Sequence, residues 1–133
     1  VGNTLHYLQN LIQPGMTLKE IDTLGENFIR EQGAIPSFKG LYGFTGSVCT
    51  SLNEVCIHGV PDTTVIKEGD ILGLDIGTKL DGYYGDAAIT MAVGKISAED
   101  EALIACSKDA LYHAIEAIKP GMRFKELTKI LED

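Results

Sequence analysis

Two aspartates stand where aspartate is rarely found. Asp75 lies in Ile71-Leu-Gly-Leu-Asp75-Ile-Gly77 and Asp86 in Tyr83-Tyr-Gly-Asp86-Ala-Ala-Ile-Thr90, runs of apolar and small residues that read as β-strands. Aspartate is depleted in strands and costly to bury unless it is paired or metal-bound. Between the two runs sits Asp81-Gly82, a strong hairpin-turn dipeptide. With those two residues as the turn, Leu80 faces Tyr83, Gly77 faces Asp86 and Asp75 faces Ala88. The two carboxylates then share one face as diagonal neighbours, and a loop shifted by one residue at each side puts them directly opposite. Either register crowds two negative charges, which repel unless a cation or a proton sits between them. Such a pair is a natural floor for one or two divalent ions. The plainer alternative is that one carboxylate turns to solvent or pairs with a lysine.

His58, in Asn53-Glu-Val-Cys-Ile-His58-Gly-Val-Pro61, precedes a glycine and a Val-Pro turn. There a neutral imidazole can face a cleft and exchange hydrogen bonds with a substrate amide, or equally sit on the surface of a turn. His6 and His113 fall on expected helices and read as structural or exposed. The cysteines are Cys49, Cys56 and Cys106, with no Cys-x-x-Cys pair. Their number and spacing point to free thiols in a reducing compartment, not to a disulfide frame or a zinc knot. Cys49 could line an apolar pocket, although a buried free cysteine is usually a small core residue.

These residues need elements to position them. Leu5, Leu8, Leu11 and Ile12 recur at helical spacing until Pro14-Gly15 ends the run. Thr17-Leu-Lys-Glu20 forms a capping box opening a second helix, with Leu18, Ile21, Leu24 and Phe28 on one face and Gly33 as its stop. From Ser37 to Met91 the chain is rich in glycine and β-branched residues, and strands are expected over 71–78 and 83–93. Ser97-Ala-Glu-Asp100 then starts a helix whose buried side is expected to include Ile104, Leu111, Ile115 and Ile118. A near repeat runs through this order: Ile12-Gln-Pro-Gly-Met-Thr-Leu-Lys-Glu-Ile21 returns as Ile118-Lys-Pro-Gly-Met-Arg-Phe-Lys-Glu-Leu127. Matching positions in register point to a duplicated unit of helix, helix and strands, whose second copy has reached only its second helix.

The chain of 133 residues suits one domain with a real core. Its net charge of −8, with eleven scattered Lys and Arg, argues against a nucleic-acid partner. The acidic excess suits a cationic ligand, though such a balance is more often a solvated surface. No apolar run approaches the ~20 residues that span a bilayer, and no leader pattern opens the chain. A cytoplasmic location without membrane contact is the expectation.

Five motifs occur in order: Pro36-Ser-Phe-Lys-Gly40, Ser47-Val-Cys-Thr-Ser-Leu-Asn53, Asn53 to Pro61, Gly69-Asp-Ile-Leu-Gly-Leu-Asp75 and Gly82-Tyr-Tyr-Gly-Asp86. Together they resemble the type I bacterial methionine aminopeptidases over essentially all 133 residues. The resemblance implies an α+β pita-bread fold of two pseudo-symmetric halves. Residues 1–133 would make a partial peptidase domain, the first half plus the start of the second. It implies that Asp75 chelates and Asp86 bridges two divalent metal ions (Co, Mn, Fe or Zn), and that His58 contacts substrate near the scissile bond. Cys49 and Phe44 fall near positions lining the methionine side-chain pocket. The implied reaction is attack of a metal-activated water on the first peptide bond, and the implied substrates are the N-terminal peptides of nascent proteins. In that family a His and two Glu complete the ligand set. The chain carries only the Asp pair, so the expectation is an inactive fragment that exposes apolar surface and self-associates. Two alternatives stand beside this: an Xaa-Pro-type pita-bread peptidase, which normally differs around Asn53–Pro61, and a non-catalytic pita-bread binding module, which typically loses the metal ligands.

Overall fold

The computed structural model of the protein describes residues 1–132. They form two compact units, Val1–Ile96 and a second from Ser97 onward.

In the first unit, helix α1 (Gly2–Leu11) and helix α2 (Leu18–Glu31) precede the strands β1 (Ile35–Pro36), β2 (Val48–Leu52), β3 (Ile71–Leu80) and β4 (Tyr83–Ala92). The Thr17 capping box forms in full: the Thr17 hydroxyl accepts from the Glu20 N–H, and the Glu20 carboxylate accepts from the Thr17 N–H at 2.7 Å. All four strands are antiparallel and β3 is central. It pairs along its whole length with β4, while β1 and β2 follow one another along its other edge. The hairpin has the expected register, with Leu80 opposite Tyr83, Gly77 opposite Asp86 and Asp75 opposite Ala88. Asp81 (φ 51°) and Gly82 (φ 86°) are both left-handed, the geometry that matches the twist of two-residue hairpins. The strands run slightly further than expected on the β3 side, to Leu80, and β4 stops at Ala92.

Alternation divides the sheet. Leu72, Leu74 and Ile76 of β3 and Val48 of β2 point into a core shared with Leu5 and Leu8 of α1 and Leu18, Ile21 and Ile29 of α2. Each such side chain contributes roughly 1.5–3 kcal/mol when fully buried. The buried ridge of α2 differs from the expected one: it is Leu18, Ile21, Asp22, Gly25 and Ile29, whereas Leu24 and Phe28 are half-buried. Phe28 instead stacks on Tyr7 of α1, ring centroids 4.3 Å apart. The reason is Gly25, where an added Cβ would strike the Val48 side chain. A residue without a side chain lets α2 seat directly on β2, and an apolar pattern does not register it.

The second unit holds α3 (Ala98–Ala117) and α4 (Phe124–Glu132). Ser97 caps α3 by accepting from the Asp100 N–H. The expected burial of Ile104, Leu111, Ile115 and Ile118 is not found: Ile104 is half-buried and the other three are 53–58% exposed. Periodicity marks an apolar stripe, but burial needs a facing element, and this unit consists of two helices. The repeat is reproduced in three dimensions. Ile12 and Ile118 end their helices with nearly equal torsions (φ/ψ −66/127° and −64/125°). Gly15 and Gly121 both turn with positive φ, and the Glu126 carboxylate accepts from the Arg123 N–H as Glu20 does from Thr17.

Candidate functional site

The face of the sheet opposite the core carries Cys49 and Ser51 of β2, Gly73, Asp75 and Gly77 of β3, and Asp86 and Ala88 of β4. Cys49 is directly opposite Asp75, and Asp75 and Asp86 are diagonal neighbours across the hairpin. The structure thus chooses between the two registers left open by the sequence. Burial raises the Asp75 carboxyl above its usual range, the negative charge of Asp86 raises it further, and a hydrogen bond between the two carboxyls adds to this, while His58 pulls it back. The buried Cys49 thiol is pushed up to about 11, by burial first and then by Asp75, Asp86 and Asp22. It stays protonated at neutral pH and is a poor nucleophile.

Above this face opens a cleft of about 470 Å³. Phe38, Leu41, Phe44, Val60 and Cys49 supply its apolar walls, and Asp75, Asp86 and His58 its polar groups. All five residues singled out from the sequence therefore meet in one place. Phe38, Leu41 and Val60 are additions. Their signal was faint: large apolar residues in glycine-rich loops outside any periodic run. Phe38 is seated by Gly77, where an added Cβ would run into its ring.

His58 is delivered by a loop fixed at both ends. Asn53 (φ 51°) donates to the Asp70 carboxylate at 3.0 Å and accepts from the Ile71 N–H at 3.0 Å. Gly59 accepts from the Thr50 N–H at 2.9 Å and donates to the Ser51 hydroxyl at 3.1 Å. A Cβ on Gly59 would collide with the Thr50 carbonyl, so glycine is required for this close approach. Pinned between these anchors, His58 adopts φ 57°, a left-handed conformation in which strain is held by its surroundings.

Carboxylate oxygens are hard donors that suit divalent ions, and two of them on one face, one already raised by the other's charge, fit a cation between them. Among the described residues no third His, Cys, Asp or Glu completes a metal-holding group.

The chain matches Metallopeptidase family M24 over residues 1–133. It is 56% identical over 131 residues to the methionine aminopeptidase of Helicobacter pylori, covering 98% of this chain and 52% of that protein. To methionine aminopeptidase 1 of Bacillus subtilis it is 46% identical over 132 residues, covering 99% and 53%. The crystal structure of methionine aminopeptidase from Rickettsia prowazekii is similar with a TM-score of 0.95 at 33% identity, over 97% of this chain and 52% of that one. The Xaa-Pro dipeptidase from Bacillus anthracis is similar at TM-score 0.82 and 25% identity, over 98% and 36%. The chain spans about half the length of the curated relatives it matches.

Proposed function

The chain belongs to metallopeptidase family M24, and from that premise we propose that it supplies the carboxylate floor and the substrate wall of a methionine aminopeptidase acting on the N-termini of newly made proteins in the cytoplasm. Its α+β architecture is the pita-bread fold that methionine aminopeptidases share with Xaa-Pro peptidases. Membership of the family implies divalent metal use. The reading takes two ions, of Co, Mn, Fe or Zn, which Asp75 and Asp86 would hold. When bound, such ions lower the pKa of a water and polarise a peptide carbonyl.

The chain's own residues do the rest of the work assigned here. Asp75 and Asp86 place their negative charge where cations gather. Phe38, Leu41, Phe44 and Cys49 receive an unbranched apolar side chain and exclude water from it. His58 hydrogen-bonds the substrate amide beside the carboxylates. Remaining donors are drawn, in this reading, from the length of the relatives that this chain does not span. The observation that carries the reading is the carboxylate pair facing an apolar cleft of about 470 Å³. The 56% identity to a methionine aminopeptidase, against 25% to an Xaa-Pro dipeptidase, favours methionine over proline-directed cleavage.

The test is a Met-Ala-Ser peptide with divalent-metal titration on the full-length protein. Asp86→Ala is expected to lose metal binding and cleavage together. His58→Ala is expected to keep the metal and lose rate worth about 2–4 kcal/mol of barrier, as for a lost transition-state donor. Near-normal turnover by Asp86→Ala would overturn the metal assignment, and loss of metal from His58→Ala would make that histidine a ligand.

A further inference from the structure

The apolar wall of the cleft comes from an excursion of the chain that the sheet does not need. Pro36 of β1 pairs with Thr78 and Val48 of β2 with Ile76, so β3 advances by Gly77 alone while the chain inserts residues 37–47. That segment carries Phe38, Leu41 and Phe44 into the cleft. Beyond Ser37, whose N–H donates to the Gly77 carbonyl at 3.0 Å, the bonds between its own backbone groups close within residues 38–44, as from the Gly40 N–H to the Phe44 carbonyl at 2.8 Å. Tyr42 at its tip is fully exposed with φ 50°.

What holds the segment comes from α2. The Glu26 carboxylate, only 17% exposed, accepts on one oxygen from Lys39 Nζ at 2.5 Å and from Ser47 Oγ at 2.8 Å. Arg30, one turn on, donates to its other oxygen at 2.9 Å and fixes its plane. One turn earlier, the buried Asp22 accepts from the N–H groups of Ser47 at 2.6 Å and Val48 at 3.0 Å. The outgoing stem is thus held twice. The incoming stem, past Ser37, is joined to α2 by the Lys39–Glu26 pair.

We propose that Glu26 is a positioning residue for the cleft, tying both stems of the 37–47 segment together and so setting the apolar wall that selects the substrate's first side chain. The proposal rests on the reading of this cleft as the substrate pocket. A lone exposed ion pair contributes little, but here one carboxylate gathers two cations and a hydroxyl at the edge of the core. These donors, Lys39 foremost, hold Glu26 ionised down to about 2.

The experiment compares the full-length protein with Glu26→Gln, Lys39→Met and the double variant, by amide hydrogen exchange and by kinetics on Met-Ala-Ser. Exchange within residues 38–46 is expected to quicken about two- to fivefold in each single variant, while the β3–β4 hairpin is unchanged. KM is expected to rise by a similar factor with a smaller change in kcat. The double variant should match Glu26→Gln, since the Lys39 tie runs through Glu26 and cannot be lost twice. High salt should reproduce the effect in the wild type and not in the variants. Unchanged exchange at 38–46, additive effects, or a fall in kcat at constant KM would overturn the proposal. A wild type that cleaves no such peptide would defeat the functional reading instead, and the exchange result would still decide the tie.

Discussion

At the scale of the residue, Asp75 is a carboxyl whose charged form the fold disfavours. Its carboxyl lies above the usual 3.8, through burial and the charge of Asp86, so folding favours its protonated form more than the unfolded chain does. A raised folded-state value means that the stabilising contribution is complete below the unfolded pKa and lost as pH rises through the folded one. Asp75→Asn is therefore expected to raise the melting temperature of chelator-treated protein at neutral pH, with the gain vanishing below about pH 4. Added divalent metal should reverse the order, because an ion that binds the native wild type stabilises it by mass action. Thermal melts with and without chelator across pH decide this. A variant less stable than wild type in chelator at neutral pH would mean that the carboxylate is structural.

At the scale of the element, the β3–β4 hairpin places both aspartates. Its two-residue turn leaves no slack, since a one-residue slip would turn one strand's side chains to the wrong face. Gly82 has φ 86°, with open space around an added Cβ, so Gly82→Ala isolates backbone strain from crowding. The expected cost is about 1 kcal/mol in the urea midpoint. Gly2→Ala, also in open space and inside α1, should be neutral or stabilising. Equal stability of Gly82→Ala and wild type would show that the turn does not set the register. The repeated Pro-Gly junction works on the same principle in two places. A left-handed glycine turns the chain, and a glutamate three residues into the next segment catches a free N–H.

At the scale of the whole molecule, the second unit presents Leu103, Leu111, Ile115, Ile118 and Phe124 at 53–89% exposure. Exposed apolar side chains in this number favour association, and the net charge of −8 opposes it. The 133-residue polypeptide is expected to self-associate in sedimentation, more strongly as salt screens the charge. Leu111→Glu combined with Ile115→Glu should return it to monomer. A constant monomer mass across concentration in low and high salt would refute this.

What the sequence determined by itself was the part of the protein governed by short-range rules. The Asp81-Gly82 dipeptide and period-two alternation were enough to put Asp75 and Asp86 on one face, and Thr17 with Glu20 was enough to start α2. His58 was recognisable as a cleft residue only as one of two options, because a turn histidine looks the same in either setting. Tertiary structure decided the rest. Phe38 and Leu41 become a wall because Gly77 admits the Phe38 ring and α2 ties down their loop through Glu26. Asp22 is buried because Ser47 and Val48, at the entry to β2, offer it two N–H groups, although residues 22 and 47 are far apart in the chain. The stripe on α3 is apolar in sequence yet exposed in the fold. Local patterns fix which way a side chain points, since backbone geometry repeats every two or 3.6 residues. What that side chain meets depends on contacts closed over long loops, which no repeat in the sequence encodes.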